Sequence, residues 1–432
     1  MSEQRNVRIE VPVLARVEGE GALSVNVVDG RIDELELRIF EPPRLFEKFL
    51  EQRSYQELPD IVARICGICP VAYQMSAVQA IEQAFGIQVS PWMAAMRRVM
   101  YCGEWIQSHS LHIHLLAAPD FFGYENAIAM AGDDPEPLRR GLRLQALGNE
   151  LMSLFGGRSV HPVGVCAGGF HHAPEPTAVQ AMQEKLAAAL DDTEALVHWS
   201  AALDLPRDDQ QFTCVALRHP DEYPMYEGRL TSSAGLDAPI DAFPEHFTES
   251  QVPHSTALHA HHTGRPYLVG PLARLNLNLD KLPPAIHQLL AELPVRFPST
   301  NMYHSIVARA VEIHFAVSRA VELLEDYAPP EYARMEEKPV PAMGTGCSEA
   351  PRGLLWHRYG FDQNGLVKSA RIVPPTSQNQ ARIEQDLHAS LTAFGLGHDD
   401  AALRLRAESV IRNYDPCISC STHFLDLQVT RS

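Results

Sequence analysis

The chain has 432 residues, 45% of them apolar, enough to bury a large core and, by length alone, to form two or three domains. Lys and Arg number 36 against 54 Asp and Glu, and the resulting net charge of -18 opposes binding to a phosphate backbone, so nucleic acid is not expected as a partner. No apolar run reaches the roughly 18 residues of a membrane span and the first residues lack a signal-peptide charge pattern, so a cytoplasmic protein is expected.

Residues 7–40 alternate apolar and polar side chains around Asp29-Gly30 and are predicted to form a small antiparallel sheet. From residue 58 onward, three- and four-residue apolar spacing predicts helices over 70–84, 91–117, 136–154, 175–203 and 302–326. Ser90-Pro91 is a helix start, with a capping hydroxyl followed by proline at the first helical position. Residues 206–300 turn rich in Pro, Gly, His and Thr and are read as an irregular, β-containing excursion packed on the helices. The predicted fold class is α+β, mainly α: one domain over 1–432, with a helical core at 58–205 and 302–326.

Two CxxC pairs stand at opposite ends of the chain, Cys66 and Cys69 in Arg64-Ile65-Cys66-Gly67-Ile68-Cys69-Pro70, and Cys417 and Cys420 in Asp415-Pro416-Cys417-Ile418-Ser419-Cys420-Ser421-Thr422-His423. Four soft thiolates select a transition metal over magnesium or calcium. A zinc ribbon is a poor fit, because its second pair follows about 15 to 20 residues after the first. Pro70 suits the first position of a helix, which would set the first pair at the helix's positive end and favour ionised sulfur. Tyr73 then lies one turn after Cys69, where it either packs in the core or donates its hydroxyl to the sulfur.

The remaining cysteines, Cys102, Cys166, Cys214 and Cys347, sit in apolar or glycine-rich settings as buried free thiols do. His109 and His112 share a helix face and are read as a hydrogen-bonded core pair. His254, His259, His261 and His262 have no Cys or acidic neighbour at a metal-binding spacing and are assigned a structural or surface role.

Arg-Ile-Cys-Gly-Ile-Cys near the N-terminus with Asp-Pro-Cys-x-x-Cys-x-x-His at the C-terminus resembles the large, catalytic (alpha) subunit of nickel-iron hydrogenases. Five further segments match in the family's order: Arg16-Val17-Glu18-Gly19, Ser108-His109-Ser110-Leu111-His112, Gly156 to Pro162, Gly270-Pro271-Leu272-Ala273-Arg274, and Glu349-Ala350-Pro351-Arg352-Gly353. The resemblance implies nickel held by Cys66, Cys69, Cys417 and Cys420, with Cys69 and Cys420 bridging to an iron that carries carbon monoxide and two cyanides. Such a centre keeps a net negative formal charge, which is costly to bury without compensating donors. Arg352 would supply the positive charge, Asp120 and Asp415 would hold its guanidinium, and Pro351 and Thr376 would line the cyanides. Without the resemblance, Asp120 reads as a helix-end aspartate and Asp415 as a cap on the turn before Pro416.

Heterolytic cleavage of hydrogen needs a base beside the metals. The resemblance points to Cys417 as first proton acceptor and Glu18 as the carboxylate that takes the proton onward; Arg352 is a poor base, with a guanidinium pKa above about 12. It also implies a magnesium held by Glu47, His423 and the Ile372 carbonyl, a plausible set for an ion that keeps several waters. Arg64 and His161 are expected to face a partner's iron-sulfur cluster.

Tyr73 stands where many relatives carry a histidine, and the expectation is that its hydroxyl replaces the imidazole bond to Cys69. Residues 424–432 follow the histidine after which relatives are cut, so the sequence is expected to be a precursor acted on by a maturation protease and nickel-insertion factors. The chain has no ferredoxin-like cysteine run and no dinucleotide fingerprint, so iron-sulfur clusters, FAD and NAD(P) are expected on partner subunits only. The short length, Ile-Cys-Pro context and Pro374 to Asn379 stretch resemble the cytoplasmic, NAD(P)-coupled, sulfhydrogenase-like subgroup, NADP ahead of NAD, with sulfur or polysulfide reduction as a further activity. A hydrogen-sensing regulatory subunit and a metal-binding subunit of a related respiratory complex are the alternatives.

Overall fold

Alternating burial lays down the first sheet. In the computed structural model, which describes residues 6–336 and 338–422, β1 (Val7–Val11), β2 (Gly21–Val28) and β3 (Arg31–Ile39) pair antiparallel in that order. The predicted Asp29-Gly30 turn has φ of 51° and 74° at its two residues, the sense that a two-residue hairpin needs. Inward residues Val7, Ile9, Val11, Leu23, Val25 and Leu37 join Leu387, Leu403 and Ile411 in one buried cluster. The sheet is thereby fastened to the C-terminal helices.

The central mass is helical, as the periodicity predicts. Its long members are α1 (Pro70–Phe85), α2 (Pro91–Leu111), α3 (Glu136–Gly156), α4 (Pro176–Ala188), α5 (Leu190–Ala201) and α6 (Ser305–Leu324). Ser90 caps α2 by accepting from the Met93 amide at 3.2 Å. The predicted 175–203 helix is broken at Ala189 into α4 and α5. Beyond Leu111 the chain widens into a π turn, His112–Ala117. Pro119 lies two residues beyond it; a proline there cannot donate to residue 115 and its ring would crowd that carbonyl in a regular α-helix, a conflict that a wider turn avoids.

Within 206–300 the β pieces are short, and two of them, β4 (Phe247–Ser250) and β5 (His259–His262), form a hairpin. The chain then adds β6 (Ala342–Ala350), β7 (Gly353–Phe361) and β8 (Val367–Val373), an antiparallel sheet in that order, followed by α7 (Pro375–Phe394) and α8 (Asp400–Asn413). No strand is expected here from the sequence, because β6 is buried along most of its length and so lacks alternation. Gly344 and Gly346 let β6 lie directly on α1: a Cβ there would sit 1.8 Å from the Ala80 carbonyl oxygen and 1.9 Å from that of Ser76. Among the described residues no helix is long and apolar enough to cross a membrane.

Candidate metal centre and the residues around it

Each CxxC pair is shaped by its own backbone. In the first loop the Ile68 and Cys69 amides donate to the Cys66 sulfur at 3.4 and 3.2 Å, and Pro70 opens α1 immediately afterwards. In the second, the chain turns through a short helix, Ile418–Ser421, with the Cys420 amide on the Cys417 carbonyl at 3.1 Å. The loops face each other across the core. Cys66 Sγ lies 3.5 Å from Cys417 Sγ and Cys69 Sγ 3.8 Å from Cys420 Sγ, and all four sulfurs lie within 4.8 Å of one another, each residue buried.

Burial opposes ionisation of every one of these thiols. At Cys66, hydrogen bonds from Cys417, Cys420 and Cys69, helped by the Arg352 charge, outweigh it and hold the pKa well below the ordinary thiol value. Burial and neighbouring sulfurs push Cys69 and Cys417 well up, and Cys420 up. Burial and the neighbouring sulfurs therefore resist ionisation of the set as a whole, and a soft divalent cation is what would let all four ionise.

Arg352 forms the tip of the hairpin between β6 and β7, whose last paired residues are Ala350 and Gly353. Its guanidinium is buried, donating from Nε to the Asp415 carbonyl at 2.7 Å and from Nη2 to the Asp415 carboxylate at 3.1 Å. Burial works against its charge, but Asp415 and the Cys417, Cys69 and Cys66 sulfurs hold its pKa well above the usual arginine value. Asp415 adopts a left-handed φ of 52°, a conformation aspartate tolerates, which turns its backbone toward the arginine. Thr376, at the start of α7, accepts the Cys417 amide at 3.0 Å, and Pro351 is buried beside Arg352.

Glu18 reaches the second loop through its backbone, in a bridge with Cys417 and a bond from the Ile418 amide at 3.0 Å, while its half-buried carboxylate accepts the Ser419 amide at 3.1 Å. Glu47 accepts the Ile372 amide at 2.7 Å, and burial pushes its carboxyl up to about 7. His423 and residues 424–432 lie outside the described residues. Arg64 is exposed; His161 is half-buried and its Nδ1 donates to the Ala63 carbonyl at 2.8 Å.

Two expectations are corrected. Asp120 does not hold Arg352: its carboxylate pairs with Arg16 and with Arg412, the latter at 2.6 and 2.9 Å, because the π turn and Pro119 direct it at α8. Tyr73 does not donate to Cys69. Its ring packs against His357 at 5.6 Å and its buried hydroxyl has no hydrogen-bond partner among the described residues. The sulfurs are near enough to act on it, since after burial it is their charges that keep the phenol well above its ordinary pKa.

Three supports have no motif to reveal them. The fully buried Glu104, on α2, accepts the Val71 and Ala72 amides at 2.6 and 3.1 Å and so caps α1 from another helix. Gln107 holds the Ile68 carbonyl at 2.5 Å. Arg44 ties the loops together by donating to the carbonyls of Ile65, at 2.7 Å, and Ser419.

The donor set fits a thiolate-bound transition metal with further ligands. Four sulfurs converge, and the neighbouring Arg352 Nη1, Asp415 Oδ2 and Tyr73 hydroxyl are buried without hydrogen-bond partners among the described residues, as polar groups meant for a bound centre would be.

Comparison with known proteins agrees. A family model described as nickel-dependent hydrogenase matches residues 44–137 and 245–423. The chain is 33% identical to sulfhydrogenase 1 subunit alpha of Pyrococcus furiosus, over 97% of this chain and 98% of that one. It is 25% identical to NAD-reducing hydrogenase HoxS subunit beta of Cupriavidus necator, over 97% and 95%. A crystal structure of NAD+-reducing [NiFe]-hydrogenase in the H2-reduced state superposes with a TM-score of 0.87 at 27% identity, covering 96% of this chain and 99% of that one. The chain belongs to the nickel-dependent hydrogenase family, as a catalytic large subunit.

Proposed function

We propose that this subunit oxidises hydrogen reversibly at a nickel-iron centre held by Cys66, Cys69, Cys417 and Cys420, the iron carrying carbon monoxide and two cyanides. The observation that carries the reading is the convergence of four buried sulfurs from opposite ends of the chain within 4.8 Å. All four would hold the nickel, and Cys69 and Cys420 would hold the iron as well, in keeping with the pairing of sulfurs across the two loops. When bound, the metals supply the Lewis-acid and redox chemistry that cleaves hydrogen and accepts two electrons.

The chain's own residues then hold charge and move the proton. Arg352, fixed by Asp415, keeps a permanent cation at the site, and its free Nη1 with Pro351 and Thr376 forms the wall assigned to the cyanides. The Cys417 sulfur takes the proton and Glu18 carries it away. The support for this relay is the backbone bridge between those residues and the bond that parks the Glu18 carboxylate on the Ser419 amide. Asp120, with Arg16 and Arg412, acts as a strut between the N-terminal strands and α8.

A magnesium is assigned to Glu47, the Ile372 carbonyl and His423. A cation there would relieve the burial that pushes the Glu47 carboxyl up to about 7. Electrons leave through an iron-sulfur small subunit docked near the exposed Arg64 and half-buried His161, where Val160 and Val163 are also exposed, toward a flavin and NAD(P) module. A relative named NAD-reducing hydrogenase supports that route, and relatives named sulfhydrogenase are in keeping with sulfur or polysulfide as a further acceptor; a cytoplasmic site of action belongs to the same reading. A maturation protease acting after His423 and nickel-insertion factors belong to the same reading.

Cys417→Ser and Glu18→Gln separate the roles. The serine variant should purify folded with less than a tenth of the parent's hydrogen uptake, whereas the glutamine variant should keep its nickel and lose most of its hydrogen–deuterium exchange with solvent. Full exchange in Glu18→Gln would overturn the relay, and full activity in Cys417→Ser would overturn the ligand assignment.

A further inference from the structure

The histidines between residues 254 and 262 have no acidic neighbour at a metal-binding spacing in the sequence, but the fold supplies a carboxylate. His254, in the loop of the β4–β5 hairpin, and His259, at the start of β5, both turn their Nε2 atoms onto the carboxylate of Glu384 on α7. The separations are 2.8 Å to Oε1 and 3.2 Å to Oε2, and one nitrogen from each ring and a carboxylate oxygen lie within 4.8 Å of one another. His259 is buried, and His254 and Glu384 keep 18% and 19% of their side-chain surface.

We propose that His254, His259 and Glu384 form a further metal site, for a zinc-like divalent d-block ion, remote in chemistry from the four-cysteine centre and from the residues assigned to magnesium. Two imidazoles and one carboxylate are a donor set that zinc accepts, with water in the remaining position. Bonds of about 2.0–2.1 Å in a tetrahedron place neighbouring ligand atoms about 3.3 Å apart; each imidazole nitrogen already stands near that distance from one of the two carboxylate oxygens, and a turn of the Glu384 carboxylate would bring a single oxygen between them. The two partly exposed side chains leave a solvent-facing side for the water. Outer partners are in place as well: the Leu37 amide donates to Glu384 Oε1 at 3.0 Å, and Glu36 Oε1 stands 3.8 Å from His254 Nδ1, on the ring edge away from the metal.

The ion would clamp two segments far apart in sequence, the hairpin and α7, beside the N-terminal sheet, whose Leu37 amide already donates to Glu384. The same helix carries Thr376, which accepts the Cys417 amide. The site is therefore assigned a structural role, holding α7 and with it the second cysteine loop. It does not depend on the identity of the metal between the cysteines.

Nickel-loaded complex, freed of loosely held ions by a chelator, is titrated with zinc chloride and then cobalt chloride, with elemental analysis and visible absorption as readouts. With magnesium kept in excess to hold its own site, parent protein should bind one zinc beyond its nickel and iron, and cobalt should give weak nitrogen- and oxygen-type bands without thiolate charge-transfer intensity. His254→Ala should lose that equivalent at least 100-fold in affinity, as should Glu384→Gln, whose helix is otherwise untouched. Removal of the ion should lower the melting temperature of the parent and leave both variants unmoved. Failure of the parent to bind zinc below 1 mM (~4 kcal/mol), or equal binding by parent and both variants, would overturn the site and leave the three side chains as a hydrogen-bonded trio.

Discussion

Glu104→Ala tests how the first cysteine loop is held. Pro70 has no amide hydrogen and the Cys69 amide is spent on the Cys66 sulfur, so Val71 and Ala72 supply the next donors of α1, and both end on Glu104. Truncation leaves two buried amides without an acceptor, at about 1–3 kcal/mol each. Part of that loss is returned, because burial holds the Glu104 carboxyl well above its ordinary pKa and its removal ends that penalty. A net destabilisation of about 2–4 kcal/mol is expected from these terms, read from urea unfolding followed by helical circular dichroism. Glu104→Gln keeps one acceptor oxygen and should lose about half as much. Because Cys69 is the residue before α1, nickel retention during chelator challenge should fall in the same order. An alanine variant within about 0.5 kcal/mol of the parent would refute the tertiary cap.

Two further perturbations probe other layers. Arg274 is fully buried and pairs with Glu312 twice at 2.7 Å and with Glu349 at 2.7 Å, so Arg274→Met strands two carboxylates and should cost about 3–5 kcal/mol in urea unfolding; a loss below 1 kcal/mol would show that the network relaxes. Burial, against a bond from Nδ1 to the Ser110 carbonyl, holds His114 down to about 3, whereas an unfolded histidine titrates near 6.5. The unfolded chain therefore takes up a proton here that the folded chain refuses: the stability tied to neutral His114 is complete above pH 6.5 and declines as pH falls toward 3. The stability gap between the parent and His114→Gln should narrow over that window, and a gap independent of pH would contradict the assignment.

The first sheet was legible because one face of each strand is buried, and the long helices because their apolar stripes are continuous. The break at Ala189 has no glycine or proline to announce it. The β6–β8 sheet was hidden for the opposite reason: strand β6, covered on both faces and seated on α1 through Gly344 and Gly346, carries no alternation to read. Spacing along the chain brought out the four cysteines, whereas Glu18, Arg352 and Asp415 drew attention only through the family motifs they sit in. It could not say which arginine Asp120 meets, since Arg16 and Arg412 arrive from elements far apart in sequence. Nor could helical spacing fix the height of the Tyr73 hydroxyl, whose ring is drawn to His357. Glu104 and Glu384 look like surface charges on helices, and only tertiary packing turns one into a cap for α1 and the other into the meeting point of two imidazoles.

Under the proposed function, the four cysteines hold nickel together with an iron bearing carbon monoxide and cyanide. The infrared spectrum of the purified complex tests it most directly, because those ligands absorb where protein does not. One carbon monoxide band and two cyanide bands, with nickel and iron in equal amounts and all of them lost in Cys420→Ser, are the predicted result. A spectrum without those bands, in protein carrying zinc between the cysteines in place of nickel, would contradict the account.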